Sequence, residues 1–183
     1  MKVQAKKLTD SKWLNLYQRK YDTGLDYYFC SRRKGEKVGT PGHIDAVRAL
    51  PYFIQEGRIK VVLIENYRYP LQAPVLELPA GIVEEGEDLV VGLKRELEEE
   101  IGATLVDIED SFGGYSTPGM ADEYIQSYIV KVKMDKRQNL DADEQITIKL
   151  IDVRDIPKVI EEQEFCLQSK LLLTTFYYKH KNS

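Results

Sequence analysis

Residues 81–103 read Gly81-Ile82-Val83-Glu84-Glu85-Gly86-Glu87-Asp88-Leu89-Val90-Val91-Gly92-Leu93-Lys94-Arg95-Glu96-Leu97-Glu98-Glu99-Glu100-Ile101-Gly102-Ala103. From Asp88 onward the apolar residues fall at Leu89, Leu93, Leu97 and Ile101, with Val90 beside them, which is the spacing of an amphipathic helix. Gly102 supplies the stop, since a helix commonly ends on a left-handed residue that glycine adopts without strain. At about 100° per residue, Glu96 and Glu100 stack one turn apart and Glu99 lies beside them, along the edge of the leucine stripe. Three carboxylates thus converge on a helix that is anchored through its other face. Like charges at this spacing destabilise a helix by about 0.2–0.5 kcal/mol per pair unless a cation holds them. Oxygen ligands on a fixed backbone suit Mg²⁺, with Mn²⁺ as the alternative ion. Arg95 is placed to brace Glu87 or one of the helix glutamates, as residues supporting metal ligands do.

Outward from this helix the period changes. Residues 43–53 and 59–66 read as strands joined at Gln55-Glu56-Gly57-Arg58, and Val75-Leu76-Glu77-Leu78 as a short third. Downstream, 124–132 and 144–153 are strand candidates, while 156–162 and 165–180 look helical. Strands interleaved with helices predict a layered α/β domain. Toward the N-terminus, Trp13-Leu14-Asn15-Leu16-Tyr17 and Tyr27-Tyr28-Phe29-Cys30-Ser31 flank Asp22-Thr23-Gly24, a hairpin signal. The polar stretch 32–42, with Gly35, Gly39, Pro41 and Gly42, reads as the boundary loop. The expected division is a small β element over 1–42 and the main domain over 43–183.

The whole chain narrows the function classes. Its 183 residues are 43% hydrophobic and 31% charged, enough for one well-buried core but not for two full-sized domains. A formal net charge of −4 leaves no excess of Lys and Arg for a long phosphate backbone, so nucleic acid is a poor partner. Cys30 and Cys166, the only cysteines, lack zinc-site spacing and read as reduced thiols of a cytoplasmic protein. No apolar run is long enough to span a membrane, and the start of the chain does not resemble a signal peptide. His43 and His180 show no metal-ligand pattern.

An acidic run is, taken alone, usually a solvated helix face. Here Gly81, Glu87, Arg95, Glu96, Leu97, Glu99, Glu100 and Gly102 stand at fixed intervals, and the block resembles the signature of the Nudix hydrolase family. The departure is Ala103, where a larger aliphatic residue is usual. The resemblance implies a Nudix α/β/α sandwich with a mixed sheet, preceded by a small N-terminal antiparallel β element. It further implies a metal site of the Ala80 carbonyl, Glu96, Glu99 and Glu100, a structural role for Gly81, Glu87, Arg95 and Gly102, and hydrolysis of a nucleoside diphosphate linked to a second group. Glu99, Glu100 and Glu144 form the expected catalytic set. Among Asp141, Asp143 and Glu144, the last lines up with the family glutamate just before a strand.

Pro118 lies sixteen residues past Gly102 and is followed by Gly119, Met120 and Glu123. This spacing resembles the ADP-ribose pyrophosphatase branch, as do Glu77 ahead of Gly81 and the segment Asn66-Tyr67-Arg68-Tyr69-Pro70, whose arginine contacts a phosphate in that branch. The implied reaction is Mg²⁺-dependent hydrolysis of ADP-ribose to AMP and ribose 5-phosphate. The implied substrate contacts are Arg68, Glu77, Gly119, Met120 and Glu123, with Tyr27 or Tyr28 stacking on the base and Arg32 reaching a phosphate. The β element would serve a homodimer. Two alternatives remain open: the same chemistry on another nucleotide sugar such as GDP-mannose, or a non-catalytic, nucleotide-sensing domain.

Overall fold

The computed structural model describes residues 4–142 and 144–181. The chain runs β1 (Lys6–Lys7), β2 (Asn15–Lys20), β3 (Asp26–Ser31), β4 (Ala46–Gln55), β5 (Arg58–Arg68), β6 (Ala73–Glu77) and β7 (Ala80–Ile82). There follow α1 (Leu89–Ile101), β8 (Ala103–Tyr115), β9 (Tyr124–Met134), β10 (Ile146–Asp152), α2 (Ile156–Glu162) and α3 (Leu167–His180). The first three strands form an antiparallel sheet in the order β1-β2-β3. The other seven form a mixed sheet ordered β10-β5-β4-β9-β8, with β6 on β5 and β7 on β4.

Side chains of a strand alternate between its two faces, and β5 separates two cores in this way. Val62 and Ile64 pack with Val47, Ala49, Tyr128 and Val130 against Leu93, Leu97 and Ile101 of α1. Val61 and Leu63 pack with Leu50, Tyr52 and Ile129 against Ile156 of α2 and Leu172, Leu173 and Phe176 of α3. The result is the expected α/β/α sandwich. Each Val, Leu, Ile or Phe side chain buried in these layers contributes about 1.5–3 kcal/mol over its exposed state, which fixes the three helices to the sheet. Pro51, with no N–H to give, sits just before the stretch of β4 that pairs with β5 from Tyr52 onward.

The chain divides into two compact units: the first holds the residues up to Ala46 and Gly113–Gln126, the second Val47–Phe112 and the chain from Ser127 on. Residues 113–126 pack with the N-terminal element because of a buried polar hub. Arg33, 7% exposed, donates to both carboxylate oxygens of Asp45 and to the carbonyls of Thr40 and His43. Asp45 also accepts from the Tyr124 amide, and Asp122 accepts from the Ser31 hydroxyl and the Gly39 amide.

Several elements depart from expectation. The first hairpin strand begins at Asn15, not Trp13. The Asn15 side chain bonds Ser11 N and O at 2.7 and 2.8 Å, closing a turn that leaves Trp13 and Leu14 exposed. A two-residue strand, β1, precedes it. β7 and β8 were not expected: β7 has three residues, and β8 is an edge strand whose largely exposed side chains show no alternation. The last helix begins at Leu167, since Phe165 forms a parallel bridge with Leu76.

Candidate active site

α1 begins within one residue of where the sequence places it, because Asp88 accepts hydrogen bonds from the amides of Val90 and Val91 at 2.9 and 3.2 Å. It ends on Gly102, whose φ of 62° is left-handed and whose missing Cβ leaves room for the Lys136 carbonyl. Leu93, Leu97 and Ile101 are buried, and so is Ala103 at 1% exposure, so the small residue at the family's aliphatic position fills a core site. With that face fixed, Glu96 and Glu100 point inward, 8% and 3% exposed, and Glu99 lies nearer solvent.

Arg95 braces both the loop and the helix. Its Nε and Nη2 donate to the two oxygens of Glu87 at 3.1 and 3.2 Å, and Nη2 also to the Ile82 carbonyl at 3.0 Å. Its Nη1 donates to Glu96 at 2.7 Å and to Glu99 at 3.1 Å. Arg95, together with the Glu84 amide, holds the Glu87 carboxyl below its ordinary range. Burial pushes Glu96 upward despite Arg95. Burial also raises Glu100 well above the ordinary range, with the negative charges of Glu96 and Glu144 adding to the effect; the Ala80 amide and Arg68 oppose it.

Around these glutamates stand four further predicted residues. The Ala80 amide donates to Glu100 Oε2 at 2.9 Å, so it is the N–H of Ala80 that is engaged. Arg68 donates through Nε and Nη2 to the two oxygens of buried Glu77, which joins two residues the sequence assigned separately to substrate. Glu144 closes its own turn: its amide donates to the Asp141 carbonyl at 3.0 Å, and its Oε2 accepts from the Asp141 amide at 3.1 Å. It also lines a cavity of about 370 Å³ with Glu65, Tyr67, Pro74 and Leu140. Asp143 lies outside the described residues.

The site's fit to a metal can be judged from these contacts. Among the described residues no three acidic, histidine or cysteine side chains converge closely enough, as they stand, to ligate one ion. The reason is local: Arg95 Nη1 occupies the space between Glu96 and Glu99, and Glu100 Oε2 is taken by the Ala80 amide. The donors are nonetheless all oxygens. Two of the carboxylates, Glu96 and Glu100, are buried, and burial raises both above the ordinary carboxylate range. Gly81 leaves open the space beside Glu96, since a Cβ there would lie 1.9 Å from its carboxylate. Glu96, Glu99 and Glu100 therefore fit a hard divalent cation once Arg95 yields a bond to it.

The remaining predicted residues lie in the first unit, where they form two pairs. The Tyr27 hydroxyl donates to the Gly119 carbonyl at 2.7 Å, and Arg32 Nε donates to Glu123 at 3.3 Å. Tyr27 lines a cavity of about 270 Å³ with Arg19, Phe29, Tyr115, Pro118 and Asp122. Tyr28, next along the strand, is not in that wall; it is half exposed and accepts from Gln18. Met120 is 69% exposed, and its backbone carbonyl accepts from the Cys30 amide. Arg33 was missed by the sequence reading, which chose its neighbour Arg32.

Comparison with known proteins bears on this geometry. The family model for the NUDIX domain matches residues 42–168. The ADP-ribose pyrophosphatase of Bacillus subtilis (strain 168) is 32% identical over 133 residues, which cover 72% of this chain and 69% of that one. The methanol dehydrogenase activator of Bacillus methanolicus is 36% identical over 121 residues, 64% of each chain. The ADP-ribose pyrophosphatase of Saccharomyces cerevisiae is 26% identical over 139 residues, 74% of this chain and 59% of that one. A crystal structure of an ADP compounds hydrolase superposes with a TM-score of 0.70 at 14% identity, covering 98% of this chain and 94% of that one, a likeness of fold.

Proposed function

Because the chain belongs to the Nudix family of hydrolases, we propose that it hydrolyses the diphosphate of a nucleoside diphosphate sugar, with ADP-ribose as substrate and AMP and ribose 5-phosphate as products. The observation that carries this reading is the cluster of Glu96, Glu99 and Glu100 on a helix fixed at both ends, with Glu144 close enough to perturb two of them. ADP-ribose in particular is supported by the two relatives that bear that activity in their names.

In this reading Glu96, Glu99, Glu100 and the Ala80 carbonyl would hold Mg²⁺, or Mn²⁺ in its place. When bound, the ion neutralises diphosphate charge, polarises phosphorus and acidifies water. Arg95, tied to Glu87 and Ile82, keeps the helix carboxylates in register with the loop. Glu77 orients the Arg68 guanidinium, and we assign the edge that Glu77 does not take to a phosphate oxygen of the substrate. Glu144 Oε2 is engaged by Asp141, so Oε1 takes the proton of the attacking water. As that proton moves, the water oxygen bonds to phosphorus and the bond to the leaving phosphate breaks. In the first unit, Tyr27 in its cavity wall is the residue we assign to the base, in preference to Tyr28, and Arg32 with Glu123 to the substrate rim. The three-stranded sheet would contribute to a homodimer in the cytoplasm. No helix among the described residues is long and apolar enough to cross a membrane.

The test is a panel of nucleotide sugars and triphosphates assayed for product with Mg²⁺. The expected kcat/KM for ADP-ribose exceeds those for GDP-mannose and any triphosphate by at least about tenfold, or roughly 1.4 kcal/mol of transition-state binding. A triphosphate or another sugar nucleotide ranking first would refute the substrate. No turnover of any member would favour a nucleotide-sensing role instead.

A further inference from the structure

Ser169 is a polar residue in an apolar layer. It stands third in α3, whose other buried residues are Leu172, Leu173 and Phe176, and it is 1% exposed. Its hydroxyl oxygen accepts a hydrogen bond from the Leu78 amide at 3.1 Å, and Leu78 is likewise buried. Leu78 opens the two-residue connection Leu78-Pro79 between β6 and β7, which leads into Ala80, the first residue of β7.

The donors of that connection and of Ala80 can be accounted for completely. The Leu78 N–H goes to Ser169 on α3, Pro79 has none, and the Ala80 N–H goes to Glu100 on α1. The Pro79 carbonyl accepts from Ala49 of β4 at 2.9 Å. The turn is therefore strung between the two helix layers, with one side chain from each taking one of its two amides. Glu100 is the most buried of the three helix glutamates, and the Ala80 amide is the backbone donor that fixes its Oε2. Without the Ser169 hydroxyl, the buried Leu78 amide loses the acceptor it has among the described residues, and an unpaired buried donor favours a shift of the turn. That shift moves the partner of Glu100.

We propose that Ser169 is a positioning residue of the carboxylate centre: through Leu78-Pro79-Ala80 it fixes the orientation of Glu100 from the opposite side of the sheet. The inference rests on the reading of Glu96, Glu99 and Glu100 as metal ligands. It also gives α3 a role beyond closing the second core.

The experiment measures Mn²⁺ binding to the full chain without substrate, by electron paramagnetic resonance, alongside melting temperature. Ser169→Ala should weaken Mn²⁺ binding about tenfold or more, the usual range for losing a group that orients a ligand. Ser169→Thr, which keeps the hydroxyl, should stay within about threefold of the parent. Leu173→Ala supplies the structural control: it opens the same core without touching the Leu78 bond, so it should lower the melting temperature and leave Mn²⁺ affinity within about threefold. Glu100→Gln tests the underlying site and should lose at least as much affinity as Ser169→Ala. Parental binding by Ser169→Ala, or an equal loss in Leu173→Ala, would overturn the role of Ser169 while the site stands. Parental binding by Glu100→Gln would overturn the site and the role of Ser169 with it. If Ser169→Ala does not fold, Ser169→Cys, with its weaker acceptor, should fall between the parent and Glu100→Gln, and parental affinity there overturns the proposal.

Discussion

Gly81→Ala is a small change that should remove activity while leaving the fold intact. Gly81 is not among the left-handed glycines, so an added methyl group meets no backbone strain. What it meets is Glu96: a Cβ at position 81 would lie 1.9 Å from both Cδ and Oε1 of that side chain. Non-bonded carbon atoms rest about 3.5–4.0 Å apart, so the carboxylate must retreat by roughly 1.5–2 Å. The stem of Glu96 is flexible enough to allow this, and the helix beneath it is held by Leu93, Leu97 and Ile101. The melting temperature should therefore change little. Activity should not survive as well, because displacing a reacting or ligating group by about 1 Å commonly costs about a hundredfold. The expected fall in kcat is at least about a hundredfold, equivalent to roughly 2.7 kcal/mol in the barrier. Steady-state product release at saturating Mg²⁺, paired with calorimetry, measures both. A kcat within about fivefold of the parent in a folded Gly81→Ala protein would refute the claim that the position of Glu96 governs turnover.

The other expectations concern single carboxylates and one histidine. Glu100→Gln should lower kcat by about two to four orders of magnitude; because burial and Glu96 raise the pKa of Glu100, its ionisation costs stability at any pH above that raised value, so the metal-free variant should melt higher than the parent. Glu144→Gln should cost about two to three orders in kcat with little change in KM, and Asp141→Asn should cost less; a raised KM with normal kcat would make Glu144 a binding residue. His180 stacks on Phe176 at 4.3 Å, and burial holds its imidazole below the ordinary range. A depressed histidine contributes stability that is complete above its unfolded value, about 6.5, and is lost as the pH falls further. His180→Phe should therefore flatten the decline of melting temperature between about pH 7 and pH 5, and an unchanged slope would exclude the ring as its source.

How much of this was legible in the sequence depends on the range of the interaction. α1 was legible to within one residue because its stop signal, Gly102, is local chemistry and its buried stripe has one period; Asp88, where the sequence begins the helix, is instead the cap before Leu89. β5 was legible because a strand covered on both faces reads as an unbroken apolar run, Val61 to Ile64. β8 was not, since an edge strand with exposed side chains has no pattern to detect. Arg32 and Arg33 show the limit most clearly. The two residues are adjacent and chemically identical, yet Arg32 faces Glu123 near the surface while Arg33 is buried against Asp45. Only partners distant in sequence distinguish them. Ser169 was hidden for the same reason, since its partner Leu78 is 91 residues away.

Arg95 and the raised glutamates together explain how an acidic protein can be arranged to take an anionic substrate. In the second unit, Glu77 and Glu87 are each matched by a guanidinium, Arg68 and Arg95. Glu96 and Glu99 share what remains of Arg95, and Glu100 has no cation in hydrogen-bond contact among the described residues. The least matched charge is therefore that of Glu100, where burial makes it most expensive to hold. In the proposed reading, a divalent cation would offset that imbalance. In the proposed reading, a diphosphate would be repelled by the bare carboxylates, and balancing their charge would remove that barrier. The spacing of Glu96, Glu99 and Glu100 therefore matters for the charge it leaves unpaired as much as for the ligands it supplies, and weakening Arg95 alone should disorder the glutamates without relieving that deficit.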